Sequence, residues 1–409
     1  MSVQDISASG SHDGPAKVSL LYDPQVRAIV SQALLLIAVL WVGYEFVQNA
    51  RLNLEKQNIA SGFGFLSNTA GFGIIQSLIP YSEEMSYGRT FLVGLFNTLL
   101  VAVIGVILAT ILGFILGVAR LSKNWVIAKL ATVYVEIVRN IPLLLQIFFW
   151  YFAVLRAVPQ KREKWSFFFD SVHLNIYGLW GPKPIFGPGS SFTVYALLIG
   201  IIISIVIATW SKKRQEATGQ QFPVGWTSIG LILGLPLVAF FITGMPISLE
   251  RPEFVDTGPL LRQGFQQGVG LVLIPEFLSL LLALVIYTAA FIAEIVRAGI
   301  LAVSHGQTEA AHALGLRNGP TLRLVVIPQA MRVIIPPLTS QYLNLTKNSS
   351  LAVAIAYPDL VSVFAGTVLN QTGQAVEVLA ITLAVYLSLS LLTSGFMNWF
   401  NARVALVER

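Results

Sequence analysis

The chain alternates long apolar runs with short polar connections, and the lengths of the runs define its architecture. A helix rises 1.5 Å per residue, so crossing the hydrocarbon core of a bilayer takes about 20 apolar residues. Runs of that size occur at Ala28 to Val47, Phe91 to Val118, Val133 to Leu155, Phe192 to Trp210 and Trp226 to Gly244. Three more follow at Leu271 to Ile300, Leu324 to Tyr357, which proline interrupts, and Val378 to Phe400. Because only helices and closed barrels satisfy their backbone in lipid, the pattern predicts an all-α, polytopic transmembrane bundle of about eight spans. Pro142, inside the third run, predicts a kink or a fresh helix start there. One polar, small-residue stretch with two glycine turns stands apart between the apolar runs, Gln307 to Gln329, QTEAAHALGLRNGPTLRLVVIPQ.

Composition agrees with a membrane protein: 55% of the residues are hydrophobic and 11% charged, against roughly 25% charged in soluble chains. The absence of cysteine excludes disulfides and thiolate metal sites, and the four histidines, His12, His173, His305 and His312, have no metal-ligand spacing. A net charge of +6 fits basic cytoplasmic loops rather than nucleic-acid binding. The first 27 residues are polar and mixed in charge, unlike a signal peptide, so the first apolar run is expected to remain as a span.

Unopposed positive charge orients the spans. Arg120, Lys123 and Lys129, then Lys212, Lys213 and Arg214, then Arg317 and Arg323 mark loops that alternate correctly if all are cytoplasmic, with both termini on that side. The connections Gln48 to Arg89, Arg156 to Phe192 and Met245 to Gly270 then lie outside, where Glu83, Glu84, Asp170, Glu250, Glu253 and Asp256 accompany their basic residues. The second of these, with Arg156, Lys161, Arg162 and Lys164, is basic and runs against the rule.

The stretch set apart therefore faces the cytoplasm. Ser304 with Gln307 predicts a capping box at a helix start, Glu309, Ala310, Ala311, Ala313 and Leu314 continue the helix, and Gly315 predicts its left-handed stop. Asn318, Gly319 and Pro320 predict a second turn. The helix would be roughly ten residues and about 15 Å long, with an alanine face shallow enough to enter another protein's groove.

Two other features carry charge into the spans. EIVR occurs twice, at Glu136 to Arg139 and Glu294 to Arg297, with Glu and Arg three apart on one helical face. A lone charge in the apolar zone costs about 2.5 to 3.5 kcal/mol, so each Glu is expected to pair with its own Arg or with the other copy's, for packing and gating. Lys347 lies in a polar band with Asn344, Thr346, Asn348, Ser349 and Ser350. Two readings fit it: contact with the carboxylate of a substrate in transit, or a tie between a broken helix and a neighbour's carbonyls. Gln146, Asn97 and Thr98 are further pathway-lining candidates, though single amides also bridge helices.

The spacing Glu309-Ala310-Ala311, three residues, Gly315, nine residues, Val325, one residue, Ile327-Pro328 resembles the cytoplasmic coupling loop of permease subunits of bacterial ATP-binding-cassette importers. YTAAFIAEIVRAGI, VVIPQAMRVIIPPL and LTKNSSLAV resemble the polar amino-acid branch of that superfamily, and the likeness reaches back through FNTLLVAVIGVILATILGFILGVARLS and YVEIVRNIPLLLQIFFWYF. The resemblance implies a five-span type I importer core at 90–155 and 271–409, with the coupling loop at 304–320 and Glu309, Ala310, Ala311, Leu314 and Gly315 as the ATPase-coupling residues. Outside it lie a cytoplasmic segment, 1–27, an added helix with a periplasmic segment, 28–89, and a two-span insert, 156–270. This elaboration resembles the general L-amino-acid permeases of Gram-negative bacteria.

The implied partners are cytoplasmic ATPase subunits, a second related permease, a periplasmic amino-acid-binding protein and the amino acid itself, in the bacterial inner membrane. No G-x-x-x-x-G-K-[ST] phosphate loop is present, so no cofactor is expected on this chain, and ATP with Mg would sit on the ATPase. The sequence contains no nucleophile elbow and no metal-binding helix motif, so no enzymatic activity is expected on this chain. The competing class is an ion-coupled transporter or channel, for which Glu45, Glu276 and Glu377 are the deep acidic candidates.

Overall fold

The computed structural model describes residues 24–56, 61–154, 157–257, 259, 263–266 and 268–404. The N-terminal segment 1–27 lies outside them except for its last four residues, as do His12 and Arg156. The helices are α1 (Pro24–Lys56), α2 (Tyr87–Ala119), α3 (Trp125–Asn140), α4 (Leu143–Phe148), α5 (Ser190–Thr218), α6 (Val224–Ile242), α7 (Pro275–Leu301), α8 (His305–Ala313), α9 (Ile327–Asn348) and α10 (Ala375–Val404). Among the described residues seven helices are long and apolar enough to cross a membrane, or up to eight if the bent α3–α4 pair counts as one span.

The third apolar run is broken rather than straight. α3 and the segment Leu143–Val154 meet at 106°. Asn124 caps the start of α3, its side chain accepting the Val126 and Ile127 amides at 3.0 and 3.4 Å. Ile141 is extended because a proline follows, and Pro142 caps α4. Gln146 donates to the carbonyls of Val138 and Ile141, both at 2.9 Å, satisfying acceptors that the break leaves exposed.

α7 is the centre of the bundle, with Phe277, Leu280, Leu284, Ala289 and Ile292 fully or almost fully buried. Pro275 opens it and Glu276 lies in its first turn, both suited to a helix N-terminus. α2 packs along it through glycines. A Cβ on Gly113 would sit 2.5 Å from Ile292 Cγ2, and one on Gly117 would sit 2.7 Å from Val296 Cβ and 2.8 Å from the Ala293 carbonyl. Small residues four apart thus let the two backbones approach directly.

Beyond α9 the chain turns at Ala356 (φ 58) and runs against the N-terminal half of α2. Gly94, Asn97 and Thr98, on one face of α2, receive it: a Cβ on Gly94 would meet Leu360 Cα at 2.9 Å. The Asn97 amide donates to the Pro358 carbonyl at 2.9 Å, and the Leu360 amide donates to Thr98 Oγ1 at 3.0 Å. Above them, Phe65 from the segment before α2 packs with Tyr87 and Phe364, closing a cluster with Val368 and Val378.

The insert adds strands to a helical bundle, which the apolar runs did not announce. β1 (Trp165–Phe167), β2 (Val172–Asn175), β3 (Gly178–Gly181) and β8 (Leu271–Leu273) form an antiparallel sheet in that order, and β4 (Lys183–Phe186) pairs with β5 (Ile247–Glu250) and β6 (Phe254–Val255) with β7 (Gly264–Phe265). β8 leads into α7 through Ile274 alone, so the sheet stands on the end of that span. α5 and α6 pack on one another; Gly200 permits the contact, since a Cβ there would reach the Leu231 carbonyl at 2.7 Å. Among their described residues only Gly200, Ser204 and Ser211 are buried.

Candidate functional site

α8 is a nine-residue helix between the ends of two spans. Ser304 is its N-cap, yet its side chain makes no capping hydrogen bond; the Gln307 amide donates to the Ser304 carbonyl at 3.0 Å, and the Gln307 side chain instead accepts from Gln329 at 3.3 Å. The expected capping box is therefore not formed, because Gln329 on the returning chain engages the Gln. The C-terminal stop does form: Gly315 has φ +80, its amide donates to the His312 carbonyl at 2.9 Å and the Leu316 amide to the Ala311 carbonyl at 3.1 Å, a Schellman arrangement.

The helix surface differs from the sequence expectation at one position. Ala311 is 3% exposed and turned into its own chain. Glu309, Ala310, Ala313 and Leu314 are exposed, Leu314 by 83%. Leu314, with nothing of its own chain over it, is a large apolar side chain awaiting a cover.

The two EIVR copies come together, but not as separate pairs. Glu294 accepts from Arg297 at 2.5 Å and from Arg120, and Arg139 stands 3.8 Å away. Glu136 has no ion pair with Arg139; its charge partner is Arg120 at 3.8 Å. Arg139 instead lies over the Phe291 ring, 5.2 Å from its centroid. Arg120, read from sequence as a loop charge, is the residue that links both carboxylates, with a side chain only 8% exposed. The signal that would have found it is its place at the end of α2, within reach of α7.

The polar band around Lys347 divides. Thr346 and Ser349 are buried and bond back to carbonyls of their own segment, Tyr342 and Thr346, at 2.9 and 2.8 Å. Ser350 donates to the Lys347 carbonyl at 2.7 Å. Asn348 is half-buried, whereas Asn344 and Lys347 are exposed. Lys347 lines an open cleft of about 450 Å³ with Ser350, Thr382, Tyr386 and Ser390. Asn97, Thr98 and Gln146, expected along a pathway, have the structural hydrogen bonds described above, and Asn97 and Thr98 are 0% exposed. Of the acidic candidates for ion coupling, Glu377 accepts the Gly62 amide at 2.5 Å and Glu276 accepts from Tyr151 at 3.0 Å. Among the described residues no three His, Asp or Glu side chains come together as a metal-ligand group.

With this geometry in hand, comparison with known proteins is specific. Residues 200–406 match the family model described as binding-protein-dependent transport system inner membrane component. The general L-amino acid transport system permease protein AapQ of Rhizobium johnstonii is 56% identical over 394 residues, covering 96% of this chain and 95% of that protein. The putative amino-acid ABC transporter permease protein YhdX of Escherichia coli K12 is 51% identical over 387 residues, covering 95% and 96%. The glutamate/glutamine/aspartate/asparagine transport system permease protein BztB of Rhodobacter capsulatus is 44% identical over 425 residues, also covering 95% and 96%. Apolar spans, an exposed helix between two of them, and these full-length likenesses have one reading: this multi-pass membrane chain belongs to the family of inner membrane components of binding-protein-dependent transport systems, as an importer permease.

Proposed function

We propose that the chain is the membrane half of an ATP-driven importer of L-amino acids, moving them from periplasm to cytoplasm, and that α8 is where a separate ATPase subunit docks. The observation that carries this is an exposed helix with a Schellman stop whose outer face holds Glu309, Ala310, Ala313 and Leu314. So short a helix has little stability by itself, and Leu314 gains by being covered. The names of the full-length relatives support amino acids as the substrate class.

In this reading ATP and Mg bind the ATPase, which closes and pulls α8; α8 acts on α7 and on the returning chain at Gln329, and the pore alternates between its two faces. Both termini and α8 face the cytoplasm. A periplasmic binding protein delivers the amino acid. A second, related permease completes the pore and covers Asn344 and Lys347, whose exposure to lipid would be costly. Lys347 then meets the substrate carboxylate.

The test is Ala310→Glu and Leu314→Asp in the assembled complex. Both should leave the chain inserted and reduce ATPase co-purification and uptake. Unaltered association in both variants would reduce α8 to a connector. Ala311→Glu does not serve, because a charge there is buried against the chain's own loop.

A further inference from the structure

α2 and α7 behave as one body. With Ile292 and Val296 filling the spaces over Gly113 and Gly117, neither helix can slide without a clash. Arg120 reinforces the pair by donating from the end of α2 to Glu294 of α7, whose other carboxylate oxygen accepts from Arg297 on its own helix. α7 passes through Ala302, Val303 and Ser304 into α8, so motion of α8 reaches α2 and α7 together.

α3 is held to this body in another way. Val135 lies among the small side chains of Ala290 and Ala293, and Tyr134 donates to the Ile286 carbonyl at 2.8 Å. Arg139 of α3 lies over the Phe291 ring of α7, but the ion pairs across this boundary only approach: Arg120 to Glu136 and Arg139 to Glu294 are each 3.8 Å, beyond hydrogen-bond length. The Nε atoms of Arg120, Arg139 and Arg297 are buried without a partner. The donors of this cluster are thus unsaturated, and both of its ion pairs to α3 are longer than hydrogen bonds. α3 ends just beyond the cluster, at the 106° break at Ile141 and Pro142, an element-terminal position of the kind that takes up backbone change.

We infer that Arg120 is the positioning residue of a joint: anchored to Glu294 in the α2–α7 body, it engages and releases Glu136 as α3 swings about the Ile141–Pro142 break. A planar guanidinium fork suits this, since one edge stays on Glu294 while another reaches Glu136, whereas a lysine ammonium is a single point. The joint rests on the ATP-driven reading for the source of its motion.

The chain has no cysteine, so introduced thiols take spin labels selectively at positions open to reagent. Leu130 on α3, Ile115 on α2 and Leu301 on α7 are 66%, 60% and 59% exposed. In the purified full chain without ATPase, Arg120→Gln should broaden the distance distribution between labels at 130 and 301 and leave that between 115 and 301 narrow. In the complex, ATP should shift the first distance and not the second, and Arg120→Gln should abolish the shift. Uptake per ATP should fall about tenfold, within the usual range of coupling between sites, in Arg120→Gln and in Arg120→Lys, with the complex still assembled.

An unchanged 130–301 distribution in Arg120→Gln, or a 115–301 distance that moves with ATP, overturns the joint. Failure of Arg120→Gln and Arg120→Lys alike to fold or assemble overturns it too, since the role is then structural. Broadening in the isolated chain with no response to ATP in the unmutated complex supports the joint and counts against the ATP-driven reading instead.

Discussion

Gly117→Ala places one methyl group where α2 touches α7. On a helix free of neighbours the change would gain about 1 kcal/mol, because alanine loses less backbone freedom than glycine. Here the new Cβ would lie 2.7 Å from Val296 Cβ and 2.8 Å from the Ala293 carbonyl. The carbonyl belongs to a helix at the centre of the bundle and has no rotamer by which to retreat. Overpacking of this kind costs about 1–3 kcal/mol, and with a backbone atom in the way the upper end applies. Offsetting the helix gain leaves a net loss of about 1–2 kcal/mol. Gly43, on α1, has nothing within 4 Å of its added Cβ, so Gly43→Ala is the matched control with the propensity gain alone. The assay is thermal unfolding of the purified protein in detergent, followed by tryptophan fluorescence at a fixed scan rate because unfolding of such proteins is often irreversible. Gly117→Ala should melt several degrees below the parent and Gly43→Ala at or above it. A Gly117→Ala variant as stable as the parent would refute the claim that α2 and α7 are locked, and with it the basis of the joint.

Three further outcomes are expected. Lys347→Met should lower substrate-stimulated ATPase activity and uptake more than it lowers the amount of assembled complex, since Lys347 is exposed in a cleft rather than tied to a neighbour; loss of assembly alone would favour a structural role. Replacing residues 188–245 with a tight turn should leave a chain that still inserts and melts cooperatively, because Gly187 already bonds to Pro246 at 2.8 Å and α5 and α6 pack mainly on each other; aggregation of the shortened chain would show that the hairpin supports the bundle. Burial of His173, and then the nearby Lys164, hold its pKa below the ordinary histidine value while Asp170 pulls it upward. A folded pKa below the unfolded one means that this contribution is fully present above the ordinary value and is lost as pH falls through it. Hydrogen exchange in 165–181 should therefore quicken from about pH 7 to about pH 5, and an exchange rate independent of pH in that window, after correction for intrinsic exchange, would contradict it.

What the amino-acid sequence determined by itself is local. The spans follow from run length, because a helix's rise and a bilayer's thickness leave little freedom. The break at Pro142 and the stop at Gly315 follow from one residue's dihedral limits, and both appear where those residues stand. The strands were less legible: pieces of two to four residues between turns are shorter than the alternation needed to recognise them. The tertiary structure decided everything that depends on a partner far along the chain. Glu294 takes a partner 174 residues away in Arg120, Thr98 serves a turn 262 residues away, and Gln329 displaces the expected capping box at Gln307. Ala311 turned inward for the same reason. A helix sets which residues share a face, but what that face meets is set by packing, and two glycine-sized spaces on α2, at Gly113 and Gly117, decided that α7 could come close enough to share a charge.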